Sequence, residues 1–282
     1  MADKISSTLA REGDGTIQIT LTLPAALVQK TEGEALAEIG RDLEVSGFRK
    51  GKAPLSKVKA LTPRESLIKR ILGKVLGKAI GDATTTHKIK PALYPRIEVL
   101  KAGEGEDWEV RATTCELPKI NLGNYQDVIK GLGKAKKETS KELSREEKEQ
   151  LVIKTLLETV KFTIPKILIE EEIEDRLAQL LDKIEKLGLS LEGYLGSLGK
   201  TVEQLRAQYQ EQAKNTIALE LILEAIAQGQ KVVISEKQVD EVINAAQADP
   251  SLKNKLDNPQ QRKVIASVLR RRTSLDSLVK LM

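Results

Sequence analysis

The sequence has 282 residues and a mass of 31.1 kDa, with 40% hydrophobic, 31% charged and only 2% aromatic residues. That length predicts two or three domains, and that composition predicts a soluble, helix-rich chain whose cores rest on Leu, Ile, Val and Ala. So few rings argue against the stacking platforms of single-strand nucleic-acid binders, no apolar run approaches the roughly 20 residues that cross a bilayer, and one cysteine, Cys115, with one histidine, His87, excludes an internal disulfide and is a poor supply of zinc ligands.

The start, Met1-Ala2-Asp3-Lys4-Ile5-Ser6, carries no apolar signal region, so the chain reads as cytoplasmic. Ile17, Ile19, Leu21 and Leu23 alternate with polar residues over Thr16 to Leu23, which predicts a strand with one buried face, ended by Pro24. From Ala25 to about Val45 the apolar spacing is helical, with a break expected near Gly33. Gly47-Phe48-Arg49-Lys50-Gly51-Lys52-Ala53-Pro54 is too rich in glycine and proline for regular structure and predicts a loop. Thr62-Pro63-Arg64-Glu65 has the order of an N-cap, a first-turn proline and a capping-box glutamate, so a helix is predicted from Pro63 to about Asp82. Two further strands are predicted near Tyr94 to Leu100 and Trp108 to Glu116. The first 117 residues thus read as one small α+β domain with an antiparallel sheet.

Eleven of the sixteen residues from Lys134 to Glu149 are charged, which predicts a linker that turns helical at Ser144-x-x-Glu147. Beyond it the periodicity is helical: Leu151 to Val160, a break at Pro165, Ile167 to Leu187, and a loop carrying Gly188, Gly193, Gly196 and Gly199. Thr201-x-x-Gln204 opens the longest helix, which Gly229 should stop. A short extended Val232-Val233-Ile234 follows, then helices opened by Ser235-x-x-Gln238 and by Asn258-Pro259.

The charge is unevenly placed. The total is 46 Lys/Arg against 41 Asp/Glu, a surplus of five, yet residues 47 to 81 alone hold ten Lys/Arg against one acid, Glu65. A local basic patch is what a polyanionic partner would select, although a charge run is also simply a solvated face.

Catalysis needs converging groups, and the sequence offers none. His87 lies in a polar turn, Cys115 ends an alternating strand and reads as a small buried side chain, and Glu170, Glu171, Glu172 and Glu174 fall in the first turns of a helix, where they compensate its dipole. Gly199-Lys200-Thr201 mimics a phosphate loop, but the glycine required five positions before Gly199 is Tyr194. Gly73, Gly77 and Gly81 recur every fourth residue, which reads as close packing of a helix on its own domain. The basic loop remains. Phe48, flanked by Arg49, Lys50 and Lys52, either anchors in a partner's pocket with cations around it or folds back onto the core.

Gly47-Phe48-Arg49-Lys50-Gly51-Lys52-x-Pro54, after one helix and before a second, resembles the ribosome-docking signature of the trigger factor family, bacterial chaperones of nascent chains. Glu116-Leu117-Pro118-Lys119-Ile120 with Gly123-Asn124-Tyr125 resembles the end of that family's ribosome-binding domain. Phe162-Thr163-Ile164-Pro165 through Ile173, and Gly199-Lys200-Thr201-x-Glu203-Gln204-Leu205-Arg206, resemble its helical chaperone domain. The resemblance implies an α+β protein: a small N-terminal antiparallel ribosome-binding domain over 1–117, a charged linker over 118–149 and an elongated all-helical chaperone domain over 150–282. It implies docking residues Gly47, Phe48, Arg49, Lys50, Gly51, Lys52 and Pro54. The implied partners are a tunnel-exit protein, ribosomal RNA and nascent or unfolded polypeptides, with no membrane, no cofactor and no metal, and it allows a homodimer off the ribosome. Trigger factors usually insert a peptidyl-prolyl isomerase domain of the FKBP type between these parts, and a domain of roughly 100 residues does not fit in Gly131 to Glu149. A short form without isomerase activity is therefore expected. The rival reading is a nucleic-acid-binding or ribosome-assembly protein that uses residues 47 to 81 and Arg270 to Arg272 and holds no clients.

Overall fold

The computed structural model describes residues 4–138, 143–245 and 257–282. The chain divides into two compact units, the first running to Leu117 and including Pro165–Ile167, the second formed by Pro118–Ile164 and Leu168–Met282.

In the first unit the alternating apolar segment becomes strand β2 (Thr16–Leu23), flanked by β1 (Ser6–Arg11) and β4 (Trp108–Cys115), with β3 (Arg96–Lys101) outermost. The sheet is antiparallel throughout, in the order β1-β2-β4-β3. Register places Ile19 opposite Ala112, Leu21 opposite Val110 and Leu23 opposite Trp108, so the period of two gives both central strands one common apolar face. Helices α1 (Ala25–Asp42), α2 (Leu55–Leu61) and α3 (Arg64–Thr86) cover that face with Val28, Leu36, Val58, Leu67 and Ile71. Trp108 lies in this core and donates its indole N–H to the Gly103 carbonyl at 2.8 Å. Where α1 passes α2, a Cβ on Gly40 would stand 3.2 Å from Val58 Cγ2, so the missing side chain lets the helices approach.

Several boundaries differ from the sequence expectation. β1 is too polar to show the alternation, and the Glu12-Gly13-Asp14-Gly15 turn pairs it to β2: Gly15 sits at φ +93° and Asp14 Oδ1 accepts the Thr16 N–H at 2.9 Å. Helix α1 runs through Gly33 without a break, because Val28, Ala35 and Leu36 on its buried face hold it to the sheet. Thr62 is not the N-cap of α3; it closes α2, its hydroxyl donating to the Val58 carbonyl at 2.7 Å, and α3 starts after Pro63 with no side-chain cap. That helix continues to Thr86, past Asp82, because Ala79 and Ala83 bury against the sheet. The glycines Gly73, Gly77 and Gly81 do not pack on the domain: a Cβ at any of them would meet nothing within 4 Å.

The second unit holds α4 (Tyr125–Glu138), α5 (Arg145–Thr159), α6 (Lys166–Lys186), α7 (Leu191–Leu198), α8 (Val202–Gly229), α9 (Glu236–Ala245) and α10 (Pro259–Leu281). Its main core joins Tyr125 and Ile129 of α4 with Leu156 of α5, Ile222 and Ile226 of α8, and Leu278 of α10. The other half of α8 packs Ala213 against Ile169 and Ile173 of α6. The segment expected as a charged linker is thus helical over Tyr125–Glu138: two apolar residues four positions apart make a core-facing stripe that the surrounding charge conceals.

The caps predicted in this unit form. Ser144 and Glu147 exchange bonds of 2.8 and 3.2 Å, Thr201 and Gln204 bonds of 3.0 and 3.2 Å, and Asn258 Oδ1 accepts from Gln260 and Gln261 ahead of Pro259. The glycine-bearing stretch after α6 is not one loop, since Gly193 and Gly196 lie inside α7, which Ser190 caps and left-handed Gly199 ends. Helix α8 ends at Gly229 as expected, with that glycine as its last helical residue, and the left-handed turn falls at Lys231, φ +53°.

Arg270, Arg271 and Arg272, which the rival reading offered to nucleic acid, are engaged within the unit. Arg270 pairs with Glu224 at 2.9 Å and Arg271 with Glu220 at 2.9 Å, both on α8, while Arg272 lies 3.7 Å from Glu149 of α5. Arg145 adds a 2.6 Å bond to Asp276. Residues near the end of α10 therefore tie three helices together.

Cys115 is fully buried, and burial in apolar surroundings pushes its thiol up to about 11. The neutral thiol is the folded form, so its contribution to stability holds below the ordinary thiol range and is lost as pH rises through about 11. Iodoacetamide at pH 8 is expected to alkylate Cys115 at least roughly a hundredfold more slowly in the native chain than in urea, the factor that two pH units of thiolate suppression alone would give. Equal rates in the two states would show that the strand end is open.

Candidate functional site

The segment between α1 and α2 is fixed at both ends and open in the middle. Leu43 leaves α1 in extended geometry with its N–H on the Ile39 carbonyl, and Val45 is buried. At the far end the Pro54 carbonyl accepts from Lys57 and Val58, starting α2. Two tight turns lie between: Phe48 N–H donates to Val45 O at 3.0 Å and Lys52 N–H to Arg49 O at 2.9 Å. Each turn contains a left-handed residue, Gly47 at φ +82° and Gly51 at φ +79°, a conformation that costs other L-residues of order 1 kcal/mol or more. The motif's glycines are thus the hinges of a double turn whose tip carries Phe48, Arg49 and Lys50.

Phe48 does not fold back onto the core; 42% of its surface is exposed. Arg49, Lys50 and Lys52 are exposed beside it, and none makes an ion pair with another described residue. Leu55, the first residue of α2, is exposed as well. Sequence reasoning passed over it, and its only signal is an apolar residue directly after the loop.

The wider basic segment is less free than its composition implies. Lys59 is held by Glu32 at 2.7 Å and Glu104 at 2.8 Å, Lys74 by Glu38 at 2.5 Å, and Arg64 donates to the Ala102 carbonyl at 2.7 Å. These carboxylates come from α1 and the β3–β4 turn, which are distant in sequence. Glu104 is accordingly held below the usual carboxylate range by its bond with Lys59. The cations left without an ionic partner among the described residues concentrate the field at the loop and along the outer face of α3.

The other candidates resolve into structural roles. His87 is half-buried at the C-terminus of α3 with Nε2 3.0 Å from Ser7 Oγ. Glu172 pairs with Arg176 at 2.7 Å on the same helix. Lys200 of the phosphate-loop mimic donates to Gln208 at 2.6 Å, and Thr201 is a cap. Among the described residues no three His, Cys, Asp or Glu side chains are grouped to hold a metal, and no helix is long and apolar enough to cross a membrane.

The second unit leaves apolar side chains uncovered. Leu181 and Leu187 on and after α6, Leu189 in the turn, Leu198 at the end of α7 and Val202 at the start of α8 are all exposed, Leu187 to 72%. A separate notch of about 270 Å3 is lined by Leu157, Phe162, Ile164, Ile169 and Ala218, with Lys161 and Lys214 also in its wall.

Comparison with known proteins decides the family. Residues 6–151 match the model of the bacterial trigger factor protein, and residues 127–280 match the model of its C-terminus. The chain belongs to the trigger factor family. A trigger factor from Clostridium botulinum (strain Alaska E43 / Type E3) is 25% identical over 178 residues, 60% of this chain and 42% of that protein. One from Staphylococcus aureus (strain JH9) is 33% identical over 134 residues, 48% of this chain and 30% of that protein. The matched part is therefore less than half the length of either curated trigger factor. A solved structure described under "Promiscuous Substrate Recognition in Folding and Assembly Activities of the Trigger Factor Chaperone" has the same fold, with a TM-score of 0.65 at 11% identity, covering 98% of this chain and 99% of that one. The first trigger factor match contains the whole double-turn loop.

Proposed function

We propose that this trigger factor family member is an ATP-independent chaperone that docks at the ribosomal tunnel exit through the loop at 47–54 and shields apolar segments of emerging chains with its helical unit. The observation that carries the reading is the loop itself: an exposed phenylalanine among three cations without ionic partners among the described residues, presented by two left-handed glycines. An aromatic ring that enters a pocket supplies most of an interface's energy, and cations around it meet ribosomal RNA phosphate or acidic side chains of an exit-site protein. Residues 1–117 would dock, and 150–282, with the core residues Tyr125 and Ile129 of α4 packed among them, would hold clients on the exposed leucines around α7 and in the notch beside Phe162. Such holding is broad and weak, as scattered apolar side chains offer no fixed hydrogen-bond pattern. No isomerase step is assigned, since the two family matches overlap over residues 127–151 and leave no room between them for a further domain of roughly 100 residues.

The nucleic-acid-only reading loses ground because Arg270, Arg271 and Arg272 are committed to ion pairs on neighbouring helices. Co-sedimentation with bacterial ribosomes tests the docking. Wild type is expected to pellet at low salt and less at higher salt, the loss being roughly fortyfold between 50 and 200 mM if three phosphates are neutralised as on a duplex. The variant Phe48→Ala/Arg49→Ala/Lys50→Ala is expected to remain in the supernatant. Unchanged pelleting of that variant would defeat the assignment.

A further inference from the structure

In the first unit, a cavity of about 450 Å3 opens between α1 and α3 above the sheet. Its cause is legible in α3. Ala79 and Ala83, one turn apart and both buried, give this wall of the cavity short side chains where longer ones would fill it. The inner wall is therefore apolar: Leu21 of β2, Ile5 before β1, Leu27 of α1 and Val75 of α3 join the two alanines.

The wall is cationic as well. Lys4, Lys30, Lys74 and Lys78 line the cavity against two carboxylates, Glu34 and Asp82. Lys74 is occupied by Glu38 at 2.5 Å, whereas Lys30 of α1 and Lys78 of α3, both lining the cavity, make no ion pair with any described residue. A volume of 450 Å3 lies within the range of small-molecule sites, roughly 300–1,000 Å3.

The backbone around it selects against a peptide. α1 and α3 spend their N–H and C=O groups internally, and β2 is paired on both sides, by β1 and β4. The Thr31 hydroxyl donates to Leu27 O at 2.8 Å, and Ser7 Oγ lies 3.0 Å from His87 Nε2. A peptide laid here would leave its own amides without partners, a cost that an aliphatic chain does not carry. We propose that this cavity binds an amphipathic carboxylate, its aliphatic tail against Leu21, Leu27, Val75, Ala79 and Ala83 and its anionic head between Lys30 and Lys78. The site is distinct from the docking loop and does not depend on ribosome binding.

Dodecanoate below its micelle concentration, titrated into the full-length chain and followed by equilibrium dialysis, tests this. One saturable site is expected, with octanoate at least tenfold weaker, since each buried methylene contributes up to roughly a fourfold factor. Lys30→Glu/Lys78→Glu, both on the surface, should weaken dodecanoate binding at least about tenfold with the far-UV spectrum and thermal midpoint retained. Leu27→Gln, at a half-exposed position, should weaken it independently through the tail. Absence of saturable dodecanoate binding, or affinity indifferent to both variants, would overturn the site. A singly charged apolar peptide that outcompetes dodecanoate would overturn the ligand class.

Discussion

Phe48→Ala alone is expected to lower ribosome affinity by about thirtyfold, roughly 2 kcal/mol, whereas Lys50→Ala lowers it only a few-fold. The difference follows from what each side chain loses on docking. Phe48 holds 42% of its surface in water in the free chain, and burying a ring removes that area while no ordering of the loop is required, because the double turn is already closed by the bonds from Phe48 to Val45 and from Lys52 to Arg49. A lysine at the rim exchanges one hydrated environment for another. Its loss should appear mainly as a salt slope smaller by about one. The measurement is co-sedimentation at three or more salt concentrations for wild type, Phe48→Ala and Lys50→Ala. A Phe48→Ala chain that binds as wild type while Lys50→Ala fails would transfer the affinity to phosphate contacts and favour the nucleic-acid reading.

How much of this was legible in the sequence depends on where the determining information sits. The loop was readable because glycine, proline and an isolated ring are local signals with direct conformational meaning; Gly47 and Gly51 take left-handed φ for the reason their residue type implies. The caps at Ser144, Thr201 and Asn258 were readable for the same reason. What failed was decided by distant partners. β1 exists because Ser6 to Arg11 find β2 as a template, and nothing in six mostly polar residues announces it. Helix α4 hides two core residues, Tyr125 and Ile129, beside the most charged stretch of the chain. Whether a basic residue is free was equally invisible: Lys59 looks like Lys57 in sequence, yet Glu32 and Glu104 neutralise it from two other elements. The glycines of α3 show the opposite failure, an evident pattern with no partner, since open space lies outside all three.

The ion pairs at Arg270 to Arg272 bear on mechanism through stiffness rather than affinity. Each pair is partly exposed and contributes at most about 1 kcal/mol, but together they fix α10 against α5 and α8. In a unit that leaves apolar residues uncovered around α7, such charged ties between long helices do part of the work of keeping those helices in register.

Two separate cores should also give two separable stabilities, and the sequence supplies a reporter for one of them. Trp108, the chain's single tryptophan, is buried in the first unit, whereas helical ellipticity comes largely from the long helices described in the second. Leu156 is fully buried among Tyr125, Ile129, Ile222 and Leu278. Leu156→Ala removes its packing and leaves a cavity, and is expected to destabilise the second unit by about 2–5 kcal/mol. Urea unfolding followed at 222 nm should shift by that amount while the Trp108 fluorescence midpoint stays where it is. Ile19→Ala, which truncates a fully buried residue of β2, should do the reverse. If both probes moved together for either variant, the units would fold as one cooperative body. Docking and client holding could not then be assigned to cores that fail independently.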